Sequence, residues 1–149
     1  MTTVTAVAFH FGAPDKLAYA CRLLRKAAAT GARVMLVGKA QDLQRLDTAL
    51  WGVTPQDFVT HAQSEAKPAV RDRSSVLLGT TAFVGVNQPP ILVNMADDIP
   101  DGFVQFDRVI EIVSTDEADR NLARLRWKHY AQLGIAITRH DLQLKAHTQ

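Results

Sequence analysis

The 149 residues carry a net charge of +2, with 47% hydrophobic and 21% charged residues, which suits one globular domain and excludes wholesale disorder, collagen-like repeats and low complexity. No run of about 18 apolar residues could span a membrane, Met1-Thr2-Thr3-Val4 lacks the basic-then-apolar order of a signal peptide, and the lone Cys21 rules out an internal disulfide or a cysteine-rich metal cluster. A near-neutral chain has no global grip on nucleic acid, so any anion site must be local. The expectation is a single domain over 1–149 in a reducing cytoplasm.

The first strand is read at Val4–His10, from its β-branched and aromatic content, and ends at Gly12-Ala13-Pro14-Asp15. Ala18, Leu23, Leu24, Ala27 and Ala28 stripe a helix over about 16–30, with Gly31 where a helix stop belongs. Arg33–Gly38 is nearly all apolar, the mark of a strand covered on both faces in a parallel sheet. A second helix over 40–51 carries Leu43, Leu46 and Leu50 at helical spacing. Gly52–Ser75 reads as a loop with Pro55, Pro68 and mixed charges. Val76–Leu78, Pro90–Asn94 and Val109–Val113 read as strands, with a turn at Asp97–Gly102. Ser114 or Thr115 caps a last helix that opens on Asp116, Glu117 and Asp119, with Gly134 near its end. Residues 138–149 are polar and read as a frayed tail. The alternation predicts a three-layer α/β/α domain with a largely parallel sheet.

Catalytic signals are sparse. There is no Gly-x-x-x-x-Gly-Lys-Ser/Thr, no Gly-x-Gly-x-x-Gly after the first strand and no Gly-x-Ser-x-Gly. The five histidines, His10, His61, His129, His140 and His147, do not pair with each other or with Cys21 at metal-ligand spacing. His10, at a strand end where open α/β sheets bind ligands, is the best catalytic candidate, with Asp15 as partner. The plainer reading is a strand end and a helix cap. Cys21 reads as a packed small hydrophobe.

The last helix is the most informative. At roughly 100° per residue, Ala118, Leu122, Leu125, His129 and Leu133 gather on one side and are expected to face the core. Arg120, Arg124 and Lys128 lie on the opposite side with Trp127 beside them, and no acidic residue occurs between Arg120 and Tyr130. Such a charged stripe is either a solvated face that complements the helix dipole or a binding patch. An exposed indole among cations suits a partner that is both anionic and apolar. Single-stranded nucleic acid fits, and so does a peptide ending in an acidic-aromatic tail. Two or three cations hold DNA only weakly at physiological salt, which favours the peptide. A second cluster, Leu46-Asp47-x-x-Leu50-Trp51, Pro55, Phe58-Val59-Thr60-His61, is either core or a protein–protein hot spot.

Taken with Pro90-Ile91-Leu92-Val93-Asn94, Phe103-x-x-Phe106-Asp107-Arg108-Val109-x-Glu111-Ile112-Val113 and Ala123-Arg124-x-Arg126-Trp127-Lys128-x-Tyr130 with Gly134, these runs resemble the chi subunit family of bacterial DNA polymerase III. The resemblance covers about 4–137. It implies a non-catalytic, clamp-loader-associated accessory subunit of the replicase, with an α/β/α fold and no cofactor or metal. It also implies two partners: the psi subunit, and the acidic C-terminal tail of single-stranded DNA-binding protein. Contact with DNA would be indirect. The tail site falls on Arg124, Trp127 and Lys128, with Arg120 one turn earlier on the same ridge, and the psi surface on Trp51 and Phe58. Trp127 stands where the family often has tyrosine. The competing readings are a small nucleotide-binding or hydrolytic α/β domain using His10 and Asp15, and a direct single-stranded DNA binder using the last helix.

Overall fold

The computed structural model describes residue 4 and residues 6–51, 61–63, 74–82 and 88–142, with the backbone alone at 51 and 61–63. Along these residues run β1 (Ala6–Ala13), α1 (Lys16–Ala29), β2 (Val34–Val37), α2 (Ala40–Trp51), β3 (His61–Gln63), β4 (Val76–Gly79), β5 (Ile91–Asn94), β6 (Arg108–Ser114), α3 (Glu117–Gln132) and β7 (Ala136–Asp141). The strands form one sheet in the order β3-β4-β2-β5-β6-β1-β7. Every pairing in it is parallel. Parallel sheets need both faces covered, and the helices provide this.

The central strands show how. Val34 and Leu36 of β2 pack with Ala20 and Leu24 of α1 and Leu43, Leu46 and Leu50 of α2. Met35 and Val37 point the other way and join Phe9, Val109, Phe103, Phe106 and α3's Ala123 and Tyr130. All four residues of β2 are buried, so its continuous apolar run is the sequence image of a strand with two dry faces. Each such side chain contributes about 1.5–3 kcal/mol on leaving water. This is the expected three-layer α/β/α arrangement.

Local signals explain most boundaries. Asp15 is the N-cap of α1, its carboxylate accepting from Ala18 N at 3.0 Å. Gly31, just past the C-cap Thr30, has φ +81°, a conformation that favours glycine. β1 runs three residues past the expected His10. Its register against β6 shifts between His10 and Ala13, where Gly12 takes φ +84°, the bulge that glycine permits. The N-cap of α3 is Asp116, not Ser114 or Thr115. Its side chain accepts from Asp119 N, while the Ser114 hydroxyl accepts from Asp116 N.

Three further expectations are corrected. The segment read as a loop, Gly52–Ser75, contains β3, which pairs with β4. The polar tail begins later than expected, because Thr138–Asp141 belong to β7 and pair with β1. An edge strand needs only one neighbour to satisfy half of its backbone, and its charged side chains guard the open edge. That is why its sequence looks like tail.

The third correction concerns the rotation of α3. Leu125 and Leu133 are 62% and 53% exposed, Ala118 and His129 are exposed, and Leu122 is half-buried. The helix instead buries Asp119, Ala123, Arg126 and Tyr130. Arg126 Nε donates to Glu111 Oε1 at 2.9 Å and Tyr130 OH to Glu111 Oε2 at 2.7 Å. Asn94 Nδ2 donates to the same carboxylate at 3.0 Å. Buried polar groups are tolerated when paired, and here, with Arg126 Nη2 alone of this set lacking a hydrogen-bond partner among the described residues, they form the inner face that apolar periodicity assigned to leucines.

Candidate functional site

Rotated this way, α3 presents one flank to a groove of about 320 Å³ lined by Phe11, Arg120, Arg124, Trp127, Lys128 and Arg139. The four residues singled out from the sequence, Arg120, Arg124, Trp127 and Lys128, therefore meet in one place. The helix puts the three cations on one ridge, each one turn from the next. Like charges four residues apart repel by about 0.2–0.5 kcal/mol per pair, so the ridge is a local cost to the helix. Arg124 Nη1 donates to the Asn121 side chain one turn back. Arg120 and Lys128 have no acidic partner among the described residues.

Trp127 is half-buried rather than fully exposed. Its ring lies on two phenylalanines of β1, at 5.0 Å from Phe9 and 6.2 Å from Phe11 between centroids. Phe9 and Phe11 alternate onto the same sheet face and stack at 5.6 Å. One face of the indole is thus pinned from below, and the groove wall gains a second ring in Phe11.

Phe11 and Arg139 were not found from the sequence. Arg139 sits on β7, with its guanidinium carbon 4.7 Å from the Phe11 centroid, a cation–π distance. It also makes a long 3.9 Å ion pair with Asp141, both partners substantially exposed. The alternation Phe9, Phe11 gave a weak signal for a shared face. Nothing in the sequence linked residue 139 to α3, because β7 joins β1 only in the folded sheet.

A buried polar system anchors α3 beside this groove. Burial pushes the Glu111 carboxyl up, and Arg126, Tyr130 and Asn94 pull it back. Burial and Glu111 together push the Tyr130 hydroxyl up. At the start of α3, burial alone would raise the Asp119 carboxyl. The Ser114 amide at 2.8 Å and the Lys16 ammonium at 3.1 Å outweigh it and hold the carboxyl below its ordinary value. Lys16 opens α1, so this pair ties the N-terminal turns of the two helices together.

The other expectations fare differently. The structure does not bring His10 and Asp15 together as an acid–base pair. The Asp15 carboxylate caps α1, whereas His10 Nδ1 bonds the Tyr19 hydroxyl and its ring lies 4.9 Å from His140. Cys21 is buried, and burial pushes its thiol up, which suits a packed side chain. Trp51 is the last residue of α2 and Phe58 lies outside the described residues. Among the described residues no three His, Cys, Asp or Glu side chains cluster as metal ligands, and no helix is long and apolar enough to cross a membrane.

Among the described residues the groove offers flat rings and four cations without a lining carboxylate, the chemistry of a ligand that is anionic and apolar at once. Comparison with known proteins agrees with the sequence resemblance. DNA polymerase III subunit chi of Pseudomonas aeruginosa is 34% identical over 130 residues, covering 85% of this chain and 87% of that protein. The Haemophilus influenzae subunit chi is 28% identical over 111 residues, covering 73% and 75%. Among solved structures, the C-terminal domain of the DEAD-box protein Dbp5 matches with a TM-score of 0.58 at 15% identity, over 95% of this chain and 92% of that one. The same domain of Saccharomyces cerevisiae Dbp5 bound to Gle1 matches with a TM-score of 0.58 at 14% identity, covering 95% and 90%. At such identities the likeness shows the fold alone. Residues 4–138 match the family described as DNA polymerase III chi subunit, HolC, and the chain belongs to that family.

Proposed function

We propose that this chain is a non-catalytic accessory subunit of the cytoplasmic DNA polymerase III holoenzyme, associated with the clamp loader. In this reading it couples the replicase to the acidic C-terminal tail of single-stranded DNA-binding protein during DNA replication. The observation that carries it is the groove itself: Arg120, Arg124, Lys128 and Arg139 around the rings of Trp127 and Phe11. The last aromatic of the tail packs beside the indole. Its terminal carboxylate pairs with Arg124 or Lys128, and its preceding acidic residues face the remaining cations. Charged hydrogen bonds of this kind contribute about 1.5–3 kcal/mol each. Four exposed cations hold single-stranded DNA weakly at physiological salt, so contact with DNA is indirect.

The tether to the clamp loader is assigned to the psi subunit, docking at Trp51 and Phe58. The support for this part is the family resemblance of the run from Leu46 to His61. Co-purification with psi should survive Lys128→Glu and be lost in Trp51→Ala and Phe58→Ala.

Calorimetry tests the tail reading with three titrations: the tail peptide against the native chain, the amidated peptide against the native chain, and the tail peptide against Lys128→Glu. Loss of one charged contact should weaken binding at least tenfold, since about 1.4 kcal/mol is a factor of ten. Equal affinity in all three would reduce α3 to a solvated face.

A further inference from the structure

The opposite flank of α3 borders a second groove, of about 440 Å³, and its chemistry is reversed. Its walls include Leu122 and Leu125 on the helix and Phe103, Val104, Asp98 and Asp101 on the segment between β5 and β6. Among the described residues the large hydrophobics that stand exposed are Val104 at 43%, Leu125 at 62% and Leu133 at 53%. Two of these line the groove. The third continues the stripe Leu122, Leu125, His129, Leu133 along the helix. Scattered surface leucines need no explanation, but apolar exposure concentrated on one seam marks an interaction site.

Among the described residues the carboxylates and the arginine around the seam are paired, except Asp98 and Asp101. Arg126 is neutralised by Glu111, and its Nη1 donates to the Asp97 carbonyl at 2.7 Å. The Asp97 carboxylate pairs with Lys39 at 3.2 Å. Asp98 and Asp101 are exposed and make no side-chain ion pair or hydrogen bond among the described residues. Their segment is held by its backbone instead: Asn94 Nδ2 donates to the Asp98 carbonyl at 3.0 Å. The two carboxylates thus stand on a braced loop beside a leucine seam that is uncovered among the described residues.

We propose that this groove docks a basic amphipathic helix of a partner protein. Leucine-type anchors on the incoming helix would lie along Leu122, Leu125 and Leu133, and its Lys or Arg side chains would reach Asp98 and Asp101. This is the helix-in-groove mode of recognition, in which apolar anchors give affinity and flanking charges give orientation. α3 then separates two docking surfaces of opposite sign. One takes an acidic ligand through Arg120, Arg124, Trp127 and Lys128, and the other takes a basic one. The two flank the same buried face of the helix, so both can be occupied together.

The test uses two fluorescently labelled synthetic helices, both with leucines on one face. One carries lysines along the edges of that face and the other carries glutamines there, because a glutamate helix would also suit the cationic groove. Anisotropy against the full chain at low salt should show at least a threefold preference for the lysine helix. Leu125→Asp should weaken that binding about tenfold, and Asp98→Asn with Asp101→Asn about threefold to tenfold. The urea midpoint of Leu125→Asp should stay at the native value, because the side chain is already mostly in water. Sedimentation velocity of the native chain and Leu125→Asp completes the set. The proposal is overturned if the lysine helix does not bind, if both helices bind alike, or if Leu125→Asp binds as well as the native chain. Self-association that Leu125→Asp abolishes would also overturn it and assign the seam to a second copy.

Discussion

Arg126 Nε lies 2.9 Å from Glu111 Oε1, with the two side chains 3% and 0% exposed. This contact sets the rotation of α3 about its axis. It turns the arginine inward, leaves Leu125 and Leu133 in water, and swings Arg120, Arg124 and Lys128 towards β7. A buried ion pair adds little over an apolar pair of the same shape, but breaking one partner strands a charge. Arg126→Ala should therefore lower unfolding free energy by about 3–5 kcal/mol in urea titrations. Replacing Glu111 and Arg126 together with leucine and methionine should cost clearly less than the sum of the single changes. An additive double variant would mean that the pair does not act as a unit.

Asp119 gives the pH prediction. Its carboxyl is held below the unfolded value of about 3.9 by the Ser114 amide and Lys16, against the cost of burial. A depressed folded value means the contribution is complete above the unfolded value and is lost as pH falls through the lower, folded one. Asp119→Asn should be less stable than the native chain by about 1–3 kcal/mol at neutral pH. The gap should close as both are acidified through that window. Urea midpoints from about pH 7 to about pH 2 measure this, and a gap constant over the whole range would refute the assignment.

Trp127 is expected to contribute to binding through its ring rather than through a polar atom. Its indole rests on Phe9 and Phe11, and aromatic pairs are worth about 0.5–1.5 kcal/mol beyond burial. Trp127→Ala should weaken the tail peptide about tenfold and also lower stability. Trp127→Tyr, which keeps a flat ring on the same support, should lose no more than about threefold. Calorimetry on both variants separates ring from hydrogen bond: equal losses would rule out stacking.

Arg139 tests the contribution of β7. Its guanidinium lies over Phe11 at the far wall of the groove. Arg139→Ala should weaken the tail peptide by about threefold to tenfold, since a partly exposed charge contact is worth up to about 1 kcal/mol. It should also flatten the salt dependence, because screening acts on exposed charges and not on the rings. An unchanged salt dependence would place the peptide's acidic residues away from β7.

Much of the architecture was legible in the residues themselves. Val34–Val37 announced a strand with two dry faces because each of its side chains is apolar and each is buried. Asp15 and Gly31 announced the ends of α1 because capping is a local matter of one side chain and one backbone angle. The ridge Arg120, Arg124, Lys128 with Trp127 beside it was equally plain, since helical periodicity alone puts those four together.

The rotation of α3 and the far wall of the groove were not legible, for two physical reasons. Periodicity assumes that what faces the core is apolar, whereas here Arg126, Tyr130 and Asp119 face inward because Glu111, Lys16 and Ser114 lie opposite them. Ser114 is a local partner of Asp119, but Lys16 and Glu111 lie outside the helix and meet it only in the packed fold. Likewise Phe11 meets Trp127 only when the last helix packs on β1, and Arg139 joins them only when β7 pairs with β1 at the sheet edge. By itself the sequence determined the central strands, the ends of α1 and the cationic ridge of the last helix. Only the tertiary structure decided which face of the last helix is dry, because that choice depends on the pairing of polar groups brought together by the fold.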